Sequence, residues 1–178
     1  MVERSPGRSA ETVHGGRELR RAYDAASAAT AVAILREAAR WAAASGIDVW
    51  RQEELRDTEF ARAASAGELV LGYESGTAAA TMLLQARDPV YWPDDPPGEA
   101  LYVHKVAVRR ASAGSGWLSA LIAFAERDAR ERAIPYLRLD TVNRPRMRRM
   151  YEELGFRWIP EEPLQLSGRE FIRLERRL

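Results

Sequence analysis

The feature of the sequence that most restricts its fold is a near-continuous apolar run over residues 101–108. Such a run is typical of a strand in the middle of a sheet that is covered on both faces. A helical pattern over 114–132, a strand pattern over 136–140 and a second helical pattern over 145–154 follow it. Because a strand–helix–strand unit crosses over in a right-handed sense, this order predicts at least one parallel pair of strands.

The first half of the chain adds antiparallel strands and further helices. Helices are predicted over 24–44, with Asp24 as N-cap, and over 53–64. The remaining strands are predicted, in chain order, over 18–23, 68–73, 77–84, 156–159 and 171–174. A three-residue turn at 74–76 makes the second and third of these a hairpin. The expected fold is α/β, with a mixed, mostly antiparallel central sheet flanked by helices on both faces.

Length and composition fit one globular domain. The chain has 178 residues, of which 46% are hydrophobic and 30% charged, a mixture that excludes wholesale disorder. Residues 1–16 are rich in Ser, Gly, Arg and Glu without periodicity, and we predict a flexible tail there. Residues 17–178 are predicted to form the single domain. The irregular loop over 87–99 is long, and loops of this length tend to be functional.

Several classes of chemistry are excluded by what the chain lacks. It has no cysteine and two histidines, which rules out disulfides, cysteine-based zinc sites, a thiol nucleophile and a multi-histidine metal site. The net charge of +1 gives no bias toward nucleic acid or membranes. The N-terminal stretch has no apolar core that would serve as a secretory signal. We therefore expect a cytoplasmic protein with no metal, nucleic-acid or membrane partner.

A turn rich in glycine and serine separates the apolar strand from the helix that follows it. Gly114 and Gly116 leave the backbone open, and Ser112 and Ser115 offer hydroxyl donors. Because the first turn of a helix has unpaired N–H groups and the positive end of the dipole, an anion such as a pyrophosphate fits there. Taken alone, such a turn is more often an ordinary loop. The dinucleotide and nucleoside-triphosphate fingerprints do not fit this segment.

The order and spacing of residues 106–156 resemble the acetyl-coenzyme A (acetyl-CoA) signature of the GNAT superfamily of N-acetyltransferases. The resemblance implies acetyl-CoA as co-substrate, bound by a strand end, by the following loop and by the last helix. The positions that it assigns to the cofactor are Val106, Ala107, Val108, Arg109, Ala113, Gly114, Ser115, Gly116, Trp117, Leu118, Asn143, Arg144 and Tyr151.

The sequence departs from the family pattern at three points. Ala113 stands where the family has a basic residue or glutamine, and Leu118 stands where it has a small residue. Asn143 is one residue farther from Tyr151 than is usual, so that Arg144 takes its place. Backbone donors still suffice for pyrophosphate, with one side-chain contact fewer.

Two residues are the main candidates for proton transfer, and Glu53, Glu54 and the Asp94–Asp95 pair are weaker ones because loop carboxylates are usually only solvated. The resemblance implies that Tyr151 is the general acid for the departing thiolate, since a phenol is protonated at neutral pH; alternatively, Tyr151 belongs to an apolar stripe. His104 lies at a place where some family members carry a catalytic glutamate, and its ordinary pKa suits a base. A hydrogen-bonded structural histidine is the alternative. The resemblance assigns the oxyanion donor to the backbone of residues 106–108.

The acceptor pocket is expected to use Trp50, Tyr91 and Trp92, although each can equally pack beneath its own loop. We expect acetyl transfer to a primary amine of a small molecule by direct attack in a ternary complex, since no cysteine or serine–histidine pair offers a covalent route. Alternatives are a protein amine as acceptor, a non-catalytic acyl-CoA sensor on the same fold, and an interaction scaffold. A homodimer is a common arrangement among similar proteins.

Overall fold

The structure is a computed structural model that describes residues 12–14 and 17–178. Four helices are present in this part of the chain: α1 (Ala25–Ala44), α2 (Asp57–Ser65), α3 (Trp117–Glu131) and α4 (Pro145–Glu152). Its strands are β1 (Thr12–His14), β2 (Arg17–Ala22), β3 (Leu69–Glu74), β4 (Thr77–Gln85), β5 (Ala100–Val108), β6 (Tyr136–Val142), β7 (Arg157–Trp158), β8 (Leu164–Leu166) and β9 (Arg169–Arg177). Within the predicted tail, β1 pairs with β2, and residues 1–11, 15 and 16 lie outside the described residues.

All of these strands belong to one mixed sheet. Its order is β1-β2-β3-β4-β5-β6-β9-β7, and β8 pairs with β9. Only β5 and β6 pair in parallel, and every other pair is antiparallel. The predicted mixed, mostly antiparallel sheet and its parallel pair are therefore confirmed.

Helices cover both faces of the sheet, as predicted. On one face Val70 of β3 packs with residues of α3 such as Leu121, and on the other face Leu71 packs with residues of α1 such as Leu35. Adjacent residues of a strand point to opposite faces, so β3 contributes to two separate cores. In the described residues no helix is long and apolar enough to cross a membrane.

The local signals explain where most elements begin and end. Asp24 caps α1 by accepting a hydrogen bond from the backbone N–H of Ser27 at 2.8 Å. The hairpin turn has two residues instead of the predicted three, because Glu74 still pairs with Thr77. Both turn residues, Ser75 and Gly76, have positive φ, as the common two-residue hairpin turn requires.

Two irregularities open the centre of the sheet. The parallel pairing of β5 with β6 ends at Tyr102↔Arg138. Beyond this point β5 remains paired with β4, and β6 remains paired with β9. In addition, β5 has a bulge where Lys105 and Val106 both face one residue of β4. The fork between the diverging strands and this bulge lie side by side, so the middle of the sheet is accessible.

Candidate active site

A cleft of about 1210 Å³ runs through the fork. Its floor is the second half of β5, and one end reaches the turn before α3. At its other end lie the connection between α1 and α2, the loop before β5, and the β8–β9 turn. The cleft thus passes both the predicted phosphate-binding turn and the predicted acceptor loops.

The turn before α3 presents backbone to the cleft. Gly114 and Gly116 both have left-handed backbones, with φ of 76° and 89°, so α3 begins at Trp117 instead of at the predicted Gly114. Gly116 is the N-cap, and it provides no side-chain cap. The first N–H groups of α3 therefore have no acceptor within the helix and are free to bind an anion.

Trp117 fixes the position of this helix end. Its ring is buried against β3, where a Cβ on Gly72 would come within 2.4 Å of it. Arg17 stacks over the same ring, with its guanidinium carbon 5.1 Å from the ring centroid. The Arg17 guanidinium also donates to the backbone oxygen of Ser115 at 2.7 Å. The first turn of α3 is consequently held in place by contacts with β2 and β3, and no capping side chain contributes.

A charged group of three side chains stands at the fork. The Nδ1 atom of His104 lies 3.0 Å from Asp140 of β6, and its Nε2 atom lies 3.3 Å from Asp88 of the loop before β5. Burial alone would lower the pKa of His104, but the two carboxylates outweigh it and raise the pKa to about 9. His104 is therefore an imidazolium at neutral pH, with a carboxylate at each nitrogen.

This group also suits a proton better than a metal. Asp88, His104 and Asp140 lie close enough together to be considered as metal ligands. The two carboxylates, however, occupy different nitrogens of the ring, and one ion could bind only one of those nitrogens. A protonated imidazole instead places one positive charge between the two carboxylates.

A second carboxylate of the same loop also contacts side chains of β5 and β6. Asp95 accepts hydrogen bonds from Tyr102 of β5 and from Arg138 of β6. Asp88 and Asp95 thus each attach the loop to a side chain of β5, and both contacts lie beside the fork. The loop is thereby held over the diverging strands.

Tyr151 of α4 faces the cleft from the other wall. It is 7% exposed and packs edge-on against Phe156, with ring centroids 6.0 Å apart. Burial, together with the negative charge of Asp140, raises the pKa of its phenol. Tyr151 therefore keeps its proton throughout the neutral range.

The cleft brings together most of the residues that the sequence singled out. Those that line it are Trp50, Tyr91, His104, Val106, Ala107, Val108, Ala113, Gly114, Gly116, Trp117, Leu118 and Tyr151. Tyr91 lies beside Asp140, which, with burial as the larger cause, raises the pKa of its phenol. Residues from widely separated parts of the chain thus share one cavity.

Five of the predicted residues lie outside the cleft: Trp92, Arg109, Ser115, Asn143 and Arg144. Trp92 is buried under its own loop against Tyr102, with ring centroids 5.5 Å apart. Arg109 pairs with Glu37 at 2.6 Å.

The other three take part in local structure. The hydroxyl of Ser115 donates to the backbone oxygen of Ser112 at 2.7 Å. The Asn143 amide donates to Glu170 at 3.1 Å. Arg144 is the exposed N-cap residue of α4.

Among the charged residues of the cleft that the sequence did not indicate as site residues are Asp88, Lys105, Asp140 and Arg169. Asp88 and Asp140 are 16 and 36 positions from His104, so nothing local links them to it. Lys105 would have been found through its position beside a histidine in an apolar strand, where charged residues are unusual. Arg169 carries no such signal.

Comparisons with known proteins agree with this geometry. The family model for the acetyltransferase (GNAT) family matches residues 32–156. A search of curated proteins finds no match. Among solved structures, a GNAT-family acetyltransferase from Listeria monocytogenes is 22% identical, with a TM-score of 0.73, over 94% of this chain and 99% of that one.

Two further structures were solved with the cofactor. The PaiA N-acetyltransferase of Thermoplasma acidophilum, in complex with coenzyme A, is 14% identical, with a TM-score of 0.69, over 91% of this chain and 99% of that one. The yncA protein of Salmonella typhimurium, with acetyl-CoA, is 16% identical, with a TM-score of 0.69, over 92% and 95% of the two chains. The family match covers well over half of the sequence, and this chain belongs to the GNAT family of acetyl-CoA-dependent acetyltransferases.

Proposed function

We propose that this enzyme transfers the acetyl group of acetyl-CoA to a primary amine of a small molecule, by direct attack in a ternary complex. The observation that carries the proposal is the continuity of the cleft from the N-terminus of α3, across the fork, to the loops at its far end. Two substrates can therefore occupy the cleft together, one from each end.

The end near α3 suits the cofactor. The free N–H groups of Trp117, Leu118 and Ser119 would hold the pyrophosphate, and the open backbone at Gly114 and Gly116 lets it approach. The diverging strands leave room for the pantetheine arm along β5. The absent basic side chain at Ala113 is consistent with binding that depends mainly on backbone donors.

The size of the acceptor is suggested by contacts that bridge the far end. Arg51 donates to the backbone oxygen of Ser167 at 3.0 Å, and Arg169 donates to the backbone oxygen of Val49 at 2.7 Å. Both contacts tie the α1–α2 connection to the β8–β9 turn. A small amine fits such a bridged end more readily than a protein chain does.

Tyr151 is proposed as the general acid. As the amine nitrogen forms its bond to the acetyl carbon and the C–S bond breaks, the phenol donates its proton to the departing thiolate. The raised pKa of this buried phenol keeps the proton available. A backbone N–H in the bulged part of β5 would bind the oxyanion.

His104 enters the proposal in a role different from the base expected from sequence. Both of its nitrogens face carboxylates and it is protonated at neutral pH, so it has no lone pair for a substrate proton. We propose that His104 positions Asp140, whose carboxylate attracts the amine and takes its proton. His104 is then a positioning residue.

Substitution of Tyr151 tests the proposal. Tyr151→Phe should lower kcat by about 10²-fold or more, the usual contribution of a positioned acid, and should leave the Kd for acetyl-CoA within a factor of about two. Titration calorimetry and an assay of free thiol over a panel of amines measure both quantities. Unchanged turnover in the variant would exclude Tyr151 as the acid, and wild-type protein that binds acetyl-CoA without acetylating any amine would exclude the proposed function.

A further inference from the structure

Lys105 is the one lysine among 27 basic residues of the chain, and it lies on the floor of the cleft. It occupies the bulge of β5 with a φ of 51°, a left-handed conformation that is unfavourable for a residue with a side chain. Among the described residues its ammonium group makes no hydrogen bond or ion pair. The bulge thus places in the cleft a positive charge that no described residue pairs with directly.

Arg169 extends this positive region. Its side chain is 11% exposed and forms an ion pair with Glu54, and it lies 3.9 Å from the exposed Asp48. Asp48 also faces Arg51 at 3.9 Å. Lys105 is near enough to Glu54 to help lower the pKa of that carboxyl. These five side chains form what we call the cationic cluster: Lys105, Arg169, Arg51, Glu54 and Asp48. Three cations and two carboxylates give it a net charge of +1.

The fork carries the opposite charge. Asp88 and Asp140 flank a single imidazolium, so the three side chains have a net charge of −1. All three line the same cleft as Lys105 and Arg169. The cleft therefore presents a negative group at the fork and a positive group next to it, between aromatic walls that include Tyr91 and Trp50.

We propose that the acceptor is an amino carboxylate, whose amine faces Asp140 at the fork and whose carboxylate pairs with Lys105 in the cationic cluster. This inference rests on the proposed function and names its substrate class. A purely cationic polyamine would meet the unpaired ammonium of Lys105 and be repelled by it. A carboxylate instead supplies the partner that the protein does not provide.

Matched acceptors test the proposal. The wild-type enzyme is assayed with a panel of free amino acids and with the amide and the decarboxylated amine of each. We expect kcat/KM to be about 10- to 100-fold higher for the carboxylate form of the preferred acceptor, as is typical of a charge-assisted contact. Equal rates with the carboxylates and with the counterparts that lack a carboxylate would overturn the inference while leaving acetyl transfer intact.

Variants locate the contact at Lys105. Lys105→Met should reduce the ratio of kcat/KM for the carboxylate form to kcat/KM for the decarboxylated amine by about 10-fold or more, with both values measured in the same variant, and Lys105→Arg should retain the ratio of the wild type. Arg40→Met, which removes an exposed charge outside the cleft, is the control and should behave like wild type. A carboxylate preference that survives in Lys105→Met would contradict the assignment.

The single lysine also permits a direct check of a competing role. Peptide mapping by mass spectrometry after incubation with acetyl-CoA alone reports whether Lys105 is itself acetylated, and it distinguishes this side chain from the α-amino group of the chain, which is also a primary amine. We expect no acetyl group on Lys105. An acetylated Lys105 would identify it as an acceptor and overturn its assignment as a carboxylate-binding residue. Failure of every amine to react would instead reject the proposed function.

Discussion

His104 has its charge fixed by two neighbours, and that charge has a consequence for stability. Burial disfavours the imidazolium, and the carboxylates of Asp140 and Asp88 more than offset this, so the pKa is raised from 6.5 to about 9. A group whose pKa is raised in the folded state stabilises the fold fully below its unfolded pKa. It loses that contribution as pH rises through the folded value.

We therefore expect the free energy of unfolding to fall between pH 6.5 and about 9, by on the order of 3 kcal/mol or less. Urea denaturation at a series of pH values measures this, with His104→Gln as the comparison. The variant should lack the decline, since it has no titrating ring. A ring-proton NMR titration of the wild type should give a pKa well above 6.5, and a value near 6.5 would contradict the ion pairs described for His104.

Sequence reasoning at the level of single residues succeeded where the cause was local. Tyr151 lies in the cleft, as its position on a predicted helix led us to expect. Asp24 caps α1, and this was predictable because the capping contact spans only three residues. Trp92 was expected at the acceptor site but is buried beneath its loop. Its partner, Tyr102, is ten residues away on β5, and no local pattern distinguishes such packing from exposure.

At the level of elements, the N-terminus of α3 is the part of the molecule that the cofactor proposal needs most. Ser119 is exposed in the first turn. Ser119→Asp should stabilise the helix by about 0.3–1 kcal/mol, because a negative charge there complements the dipole. The same charge should weaken the binding of acetyl-CoA by about 10-fold, because it repels the pyrophosphate.

The substitution is informative because it should raise the stability of the protein while lowering its affinity for acetyl-CoA. Ser119→Asn is the uncharged control, and it should leave both stability and affinity close to wild type. Denaturant unfolding gives the first quantity and calorimetric titration of coenzyme A the second. Unchanged affinity in Ser119→Asp would mean that the pyrophosphate binds elsewhere.

The sequence predicted most elements but not the irregularities between them. The alternation of strands and helices was sufficient for the mixed sheet, because burial on one or both faces leaves a periodic signal. The short strand β8 was missed, since three residues after Glu161, Glu162 and Pro163 give too little pattern. The bulge at Lys105 was also missed, because it results from register against β4 and not from a glycine or proline.

On the scale of the whole molecule, the fork forms because the two neighbouring strands β5 and β6 pair with different strands on their other edges. The strands from β1 to β5 form one antiparallel series, and β6 pairs with β9 in another. Only three pairs join the two series, all at the start of β5 and β6. The cleft at the fork is consequently a product of topology, and its walls come from both halves of the chain.

This architecture predicts the kinetic order of the reaction. The turn before α3 lies at one end of the cleft, and the α1–α2 connection and the β8–β9 turn lie at the other. In the proposed arrangement, cofactor and acceptor therefore do not compete for the same space. The chain contains no cysteine to hold the acetyl group between two separate half-reactions. Double-reciprocal plots of initial rate against one substrate, at several fixed concentrations of the other, should give intersecting lines.

Parallel lines would instead indicate that the acetyl group is transferred to the protein before the acceptor binds. Tyr151→Phe should keep the intersecting pattern with a lower kcat, because the substitution alters proton donation and not the simultaneous binding of both substrates. A change from intersecting to parallel lines in this variant would mean that Tyr151 helps to form the ternary complex. The pattern of lines thus tests the two-ended cleft independently of which amine is the acceptor.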